Sequence, residues 1–286
     1  MRHPIAKTIA ASVIAFVVLA SVAAAAVPTV RHIASGWWNN PEGLAALPEN
    51  PQVHYESGAS EQARTVAALL PAAIARVEAA HGRRFAHPII VGVYVRPESY
   101  VAANGLGSRP SDGMTFLGRV LLSPVLFSNQ SKRLPAILTH ELSHAHLQSW
   151  ISQLPFMRLP QWFREGLAVM VSGGGGAEGV GELQAWDANR RGDHIAIESS
   201  NSLLNLADVK FAQPPEIPTT PFRILIAYRQ AGLFVTYLRD SNDVGFSRMM
   251  NAILDGRPFA EAVRRGYESD LPTLWSRFAH IAPTPR

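Results

Sequence analysis

The reading turns on one stretch, Leu138-Thr139-His140-Glu141-Leu142-Ser143-His144. It sits in a run with helical periodicity from about Lys132 to Ile151, where Pro135 is compatible only with a first turn. Four residues advance a helix by about 400°, so His140 and His144 project from one face, about 6 Å apart along the axis. Two imidazoles at that spacing can share one zinc ion. Glu141 falls about 100° round from His140, where a carboxylate can take a proton from a metal-bound water. Leu138, Leu142 and Ala145 lie opposite the histidines. The helix is therefore expected to bury an apolar stripe and turn its other side to a cleft. On these residues alone the alternative is a polar helix face whose histidines are solvated or hydrogen-bonded.

The next segment bears on that choice. Trp162-Phe163-Arg164-Glu165-Gly166-Leu167-Ala168 lies in a second helix, from about Pro160 to Val171, ending at Ser172-Gly173-Gly174-Gly175-Gly176. A catalytic zinc takes three protein ligands and keeps a position for water, and Glu165 can be the third. The alternative H-E-x-x-H-x-x-G-x-x-H pattern fails, because Leu147 and Trp150 stand at its Gly and His positions. His146 points about 200° away from His144 and reads as a polar surface histidine.

With both segments in view, the chain resembles the gluzincin metallopeptidases, and among them the bacterial peptidase MA-like domains. The resemblance runs from about residue 55 to 281 and is specific at the two metal helices. It implies an α+β fold with a thermolysin-like zincin core: a small mixed sheet, the H-E-x-x-H helix, the glutamate helix and a helical C-terminal lobe. It implies one Zn2+ held by His140, His144 and Glu165, with Glu141 as general base. Ala227-Tyr228-Arg229-Gln230-Ala231-Gly232 opens a long helix, as the oxyanion-stabilising tyrosine segment does in the aminopeptidase branch, so Tyr228 is the candidate there; a buried packing tyrosine is the other reading. His194 is an outside candidate. Gly113-Met114-Thr115-Phe116-Leu117 stands where the family has its substrate-binding edge strand, and is otherwise a core strand.

This sequence also departs from the family. Where its branches carry an acid one or two turns after the glutamate ligand, Val169 and Ser172 stand here, which leaves the support of the zinc histidines unassigned. The G-x-M-E-N exopeptidase motif is absent. The implied activity is an endopeptidase with protein or peptide substrates; the alternative is a catalytically inactive, membrane-tethered binding or scaffold protein.

Outward from the site, Ser60 to His81 predicts a helix that Pro71 kinks or divides, stopped by Gly82. Residues 89–95 give a strand signal, and Met114 to Leu122 a strand pair or one bent strand. Beyond Phe222 the periodicity is helical: 222–239, 243–254, 258–266 and 270–280. The chain divides into a leader (1–30), a Pro-rich linker (31–58) and a zinc metallopeptidase-like domain (59–286). Within the domain lie an α/β lobe (59–128), the metal helices (129–172), a flexible insert (173–220) and a helical lobe (221–286).

The leader places Arg2 and Lys7 before nineteen residues, Ile9 to Val27, broken only by Ser12 and Ser21. That is either a secretory signal with an A-x-A site or an uncleaved anchor, and both put the domain outside the cytoplasm, periplasmic or secreted. Trp37-Trp38 are expected as packing residues, or else at a membrane surface.

The 286 residues carry 26 basic and 22 acidic side chains. Three Lys among those 26, and no basic run longer than two, argue against a nucleic-acid surface. The absence of cysteine excludes thiolate zinc, iron–sulfur, disulfide and cysteine-nucleophile chemistry, and agrees with a His/His/Glu zinc site in an extracytoplasmic protein.

Overall fold

The computed structural model describes residues 27–108, 112–197, 211–212 and 220–281, with residues 12, 16, 17, 19 and 22. Residues 198–210 and 213–219 of the expected flexible insert and most of the leader lie outside these residues. Among the described residues no helix is long and apolar enough to cross a membrane.

The fold is α+β, mostly helical around one small mixed sheet. Five short strands, β1 (Ala45–Leu47), β2 (Asn50–Tyr55), β3 (Val91–Val93), β4 (Gly113–Phe116) and β5 (Arg119–Leu122), take the order β1-β2-β3-β5-β4. β2, β3 and β5 run parallel, and the outer two strands pair antiparallel. β4 and β5 are the expected strand pair. Leu117 and Gly118 join them, both with positive φ (49° and 77°), the backbone of a tight two-residue hairpin turn.

The stretch 31–58, expected as a linker, is instead part of the fold. Helix α1 (Pro28–Trp38) precedes β1 and β2, and Leu47 and Val53 are buried in the core. The strands are only three and six residues long, with Pro48 just after one and Pro51 near the start of the other, so too few residues alternate to give a strand signal.

Helix α2 (Ser60–His81) holds Pro71 inside it, so the proline does not divide it. It buries Ala63, Val66, Leu70, Ala73 and Val77 along one face and stops at Gly82, whose φ of 72° only glycine adopts freely. Helix α3 (Pro97–Ala103) packs beside β5, and the short α4 (Val125–Ser128) follows that strand. The pair that matters is α5 (Leu134–Trp150) and, after the short α6 (Gln153–Arg158), α7 (Gln161–Ser172).

α8 (Glu182–Arg190) and four C-terminal helices, α9 (Thr220–Ser241), α10 (Asp243–Leu254), α11 (Phe259–Tyr267) and α12 (Leu271–Ala279), complete the order. α9 packs against α7 through glycines. A Cβ on Gly166 would stand 2.5 Å from the Ala231 carbonyl oxygen, and one on Gly232 2.5 Å from Val169. Trp162 and Phe163 on α7 meet Phe234 and Phe259 of the helical lobe in edge and tilted ring contacts. The glutamate helix is thus held from behind by interlocked aromatic rings.

Candidate metal centre

Every side chain from Ile137 to Leu147 on α5 is buried, so this helix has no open side of the kind expected from its apolar stripe. Its back face carries polar groups that are paired. Ser143 Oγ lies 3.0 Å from His81 Nε2, His81 Nδ1 lies 2.9 Å from His146 Nδ1, and His146 Nε2 lies 2.8 Å from the Arg83 carbonyl oxygen. His146, expected at the surface, is fully buried against His81 and the ring of Phe85. The partner that makes this affordable, His81, is 65 residues away in sequence.

The front face brings three donors together. His140 Nε2 and His144 Nε2 lie 3.2 Å apart, and Glu165 Oε2 of α7 lies 3.3 Å and 3.5 Å from them. All three residues are buried, and among the described residues they form the one His/Cys/Asp/Glu group placed to hold a metal ion. Burial alone would raise the Glu165 carboxyl pKa, but the charges and hydrogen bonds of His144 and His140 more than offset it and hold the acid well below the carboxylate range. For His140 burial acts downward, and Glu165 and Glu141 outweigh it, leaving the pKa raised.

Two of the three donors, His140 and Glu165, have support from neighbouring groups, none of it readable as an acid after Glu165. His140 Nδ1 donates to the Gly175 carbonyl oxygen at 2.8 Å, which turns Nε2 toward the other two donors. Gln161, one turn before Glu165, donates from Nε2 to Glu165 Oε1 at 2.9 Å and accepts from Arg164. Arg164 is itself buried, with its guanidinium 4.7 Å from the centre of the Phe156 ring. His144 Nδ1 is buried without a hydrogen-bond partner among the described residues.

The glycine loop that carries the Gly175 carbonyl is clasped on two sides. Arg229 of α9 donates from Nη2 to the Ala177 carbonyl (2.8 Å) and from Nε to that of Val180 (2.9 Å). Glu178 accepts from the Gly176 N–H at 3.0 Å and pairs with Arg133 at 3.0 Å, beside the start of α5. Gly175 packs so closely that a Cβ would stand 2.7 Å from the Ala136 carbonyl oxygen. The next residue on α9, Gln230, binds the backbone of Ala185, Asp193 and Ile195. Residues 173–197 of the insert are thus hydrogen-bonded to α9 at several points.

Glu141 is buried on the sheet side of α5. Thr115 Oγ1, on edge strand β4, lies 2.9 Å from Glu141 Oε2 and 2.8 Å from the Glu141 carbonyl oxygen. Gly113 lies opposite: a Cβ there would stand 2.8 Å from Glu141 Cγ. The segment 113–116 is therefore both the sheet's edge and one wall around the carboxylate.

Tyr228 is half-buried on α9 against the core, within electrostatic reach of Arg164, the neighbour of Glu165. His194 packs against Trp275 instead, with ring centroids 5.6 Å apart. Sequence reasoning missed Gln161, Thr115, Gly175 and Arg229. The glycine run and the polar residues beside Tyr228 were visible, but nothing local said that they meet. Comparison with protein-family models, curated proteins and solved structures finds no match to this chain.

Proposed function

We propose that this chain is a zinc metallopeptidase of the gluzincin kind, acting as an endopeptidase on protein or peptide substrates outside the cytoplasm. One observation carries the reading: the convergence of His140 Nε2, His144 Nε2 and Glu165 Oε2 at separations of 3.2, 3.3 and 3.5 Å. Ligand atoms about 2.0–2.2 Å from a zinc ion at tetrahedral angles stand about 3.4 Å apart. Two imidazoles and a carboxylate form the three-ligand set of catalytic zinc rather than the four-ligand set of structural zinc. The pairing of α5 with α7 beside a small mixed sheet agrees with a thermolysin-like core.

Zinc held by these residues would polarise a scissile carbonyl and lower the pKa of a water toward about 7. Glu141 is the general base. With Oε2 engaged by Thr115, Oε1 takes the proton from the attacking water and later delivers it to the leaving amine. Gly113 leaves room for that carboxylate to turn. Edge strand β4 offers an extended substrate backbone a partner by strand addition. Tyr228 donates a hydrogen bond to the oxyanion as charge develops.

The test is Glu141→Gln, assayed by metal analysis and by digestion of a peptide library with and without chelator. Full metal occupancy with no turnover is expected. A variant that cleaves as fast as the parent would overturn the mechanism. A metal-loaded parent that cleaves nothing would favour the non-catalytic scaffold.

A further inference from the structure

Helix α1 has two unlike faces. At about 100° per residue, His32, Ser35 and Gly36 share one side. That side is docked: Ser35 Oγ donates to the Ala102 carbonyl at 2.9 Å, and Gly36 is buried so tightly that a Cβ would stand 2.8 Å from the Gly105 nitrogen and from Phe116. The opposite side gathers Val30, Ile33, Trp37 and Trp38, with Val27 just before the helix. All five are exposed, Trp37 at 63% and Trp38 at 79%. Both tryptophans, expected in the packing, are outside it because Gly36 takes the contact and turns its neighbours away.

We infer that this face of α1 rests on a lipid bilayer. The apolar run Ile9 to Val27 leads directly into the helix, and nineteen residues reach the length needed to span a hydrocarbon core. Tryptophan side chains pair an apolar body with an N–H and gather where bilayer meets water. The helix carries Arg31 and no acid, so nothing on it repels an anionic surface. A second copy of the chain is a poorer occupant, since five side chains fall far short of the roughly 20–30 residues a side of a stable protein interface. Because the docked face is fixed by Gly36, the exposed face has one orientation relative to the domain. The inference is independent of the metal and of peptidase activity.

The experiment uses the full chain in vesicles of phosphatidylcholine with a minor share of phosphatidylglycerol, with or without bromine on the acyl chains. Bromine is expected to quench a part of the tryptophan emission that disappears in the Trp37→Phe/Trp38→Phe double variant. Ile33→Lys with Val30→Lys should abolish the quenching of Trp37 and Trp38 in a chain still held by its leader. Equal quenching in the parent and the double variant would overturn the inference. So would photo-crosslinks from a benzoylphenylalanine at position 37 to another copy of the chain rather than to lipid.

Discussion

The Nδ1 atoms of His81 and His146 lie 2.9 Å apart, and one carbonyl fixes the protons between them. The Arg83 carbonyl can only accept, so His146 Nε2 carries a hydrogen and His146 Nδ1 is an acceptor. His81 then donates from Nδ1 and accepts the Ser143 hydroxyl at Nε2. Both rings are neutral, and their four nitrogens and the Ser143 hydroxyl all have partners.

That relay makes the fold sensitive to mild acid. Burial pushes His81 well below the ordinary value of 6.5, with like-charge repulsion from His146 and His144 adding to it, and burial also lowers His146. At these two histidines the folded chain therefore binds fewer protons than the unfolded one. The stability this contributes is complete above about pH 6.5 and is lost as pH falls below it. Urea unfolding at pH 8 and pH 5.5 should give a clearly lower midpoint at the acid end. Ser143→Ala should cost about 1–2 kcal/mol at pH 8, since it leaves a buried acceptor unpaired. A midpoint that is flat across this range would contradict the neutral relay.

A second, lower window belongs to Glu56. Burial works against its charge, but Ser99, Arg96 and the backbone N–H groups of Val95 and Arg96 bring the pKa down to about 2. Its contribution is present above about pH 4.5 and vanishes as pH falls toward 2. Glu56→Gln should destabilise by about 1–3 kcal/mol at pH 7, and the difference from the parent should close near pH 2. Chemical denaturation at both pH values reads this directly.

Arg229 should act on the metal through the loop it clasps. Arg229→Met frees the Ala177 and Val180 carbonyls, slackens the loop and loosens the Gly175 hydrogen bond on His140. Metal affinity, measured by chelator competition, is expected to fall about ten- to a hundredfold. Nitrogen NMR of metal-free protein should find His140 protonated at Nδ1 in the parent and mixed in the variant. Unchanged affinity and an unchanged tautomer would rule the clasp out.

Gly113→Ala tests the wall beside Glu141. The added methyl has no room at 2.8 Å from Glu141 Cγ, so the carboxylate must shift while the metal ligands stay in place. Turnover of a peptide substrate should drop about a hundredfold, with metal content equal to the parent. Loss of metal in this variant would mean that the wall supports the ligands instead.

The helices that carry the site were legible because each is long, periodic and punctuated: His140, His144 and Glu165 fall on α5 and α7 within two residues of the expected bounds. β1 and β2 were not, being short and set among prolines that read as tether. The candidate donors could be read from the sequence, His140 and His144 from their spacing on one helix and Glu165 from its place on the next. What holds them could not, because Gly175 reaches His140 across 35 residues and Thr115 reaches Glu141 across 26, through a carbonyl and a hydroxyl that leave no local pattern. The masking of His146 has the same origin: a buried histidine looks like a surface one until its distant partner is known.

The polar back of α5 has one mechanical consequence. Ser143 and His146 are anchored to α2, and His140 and His144 sit on the same rigid rod a few residues away. A twist of the helix about its own axis cannot move the front without breaking the back. The setting angle of the two imidazoles is therefore a torsional lock whose key, His81, belongs to another helix altogether.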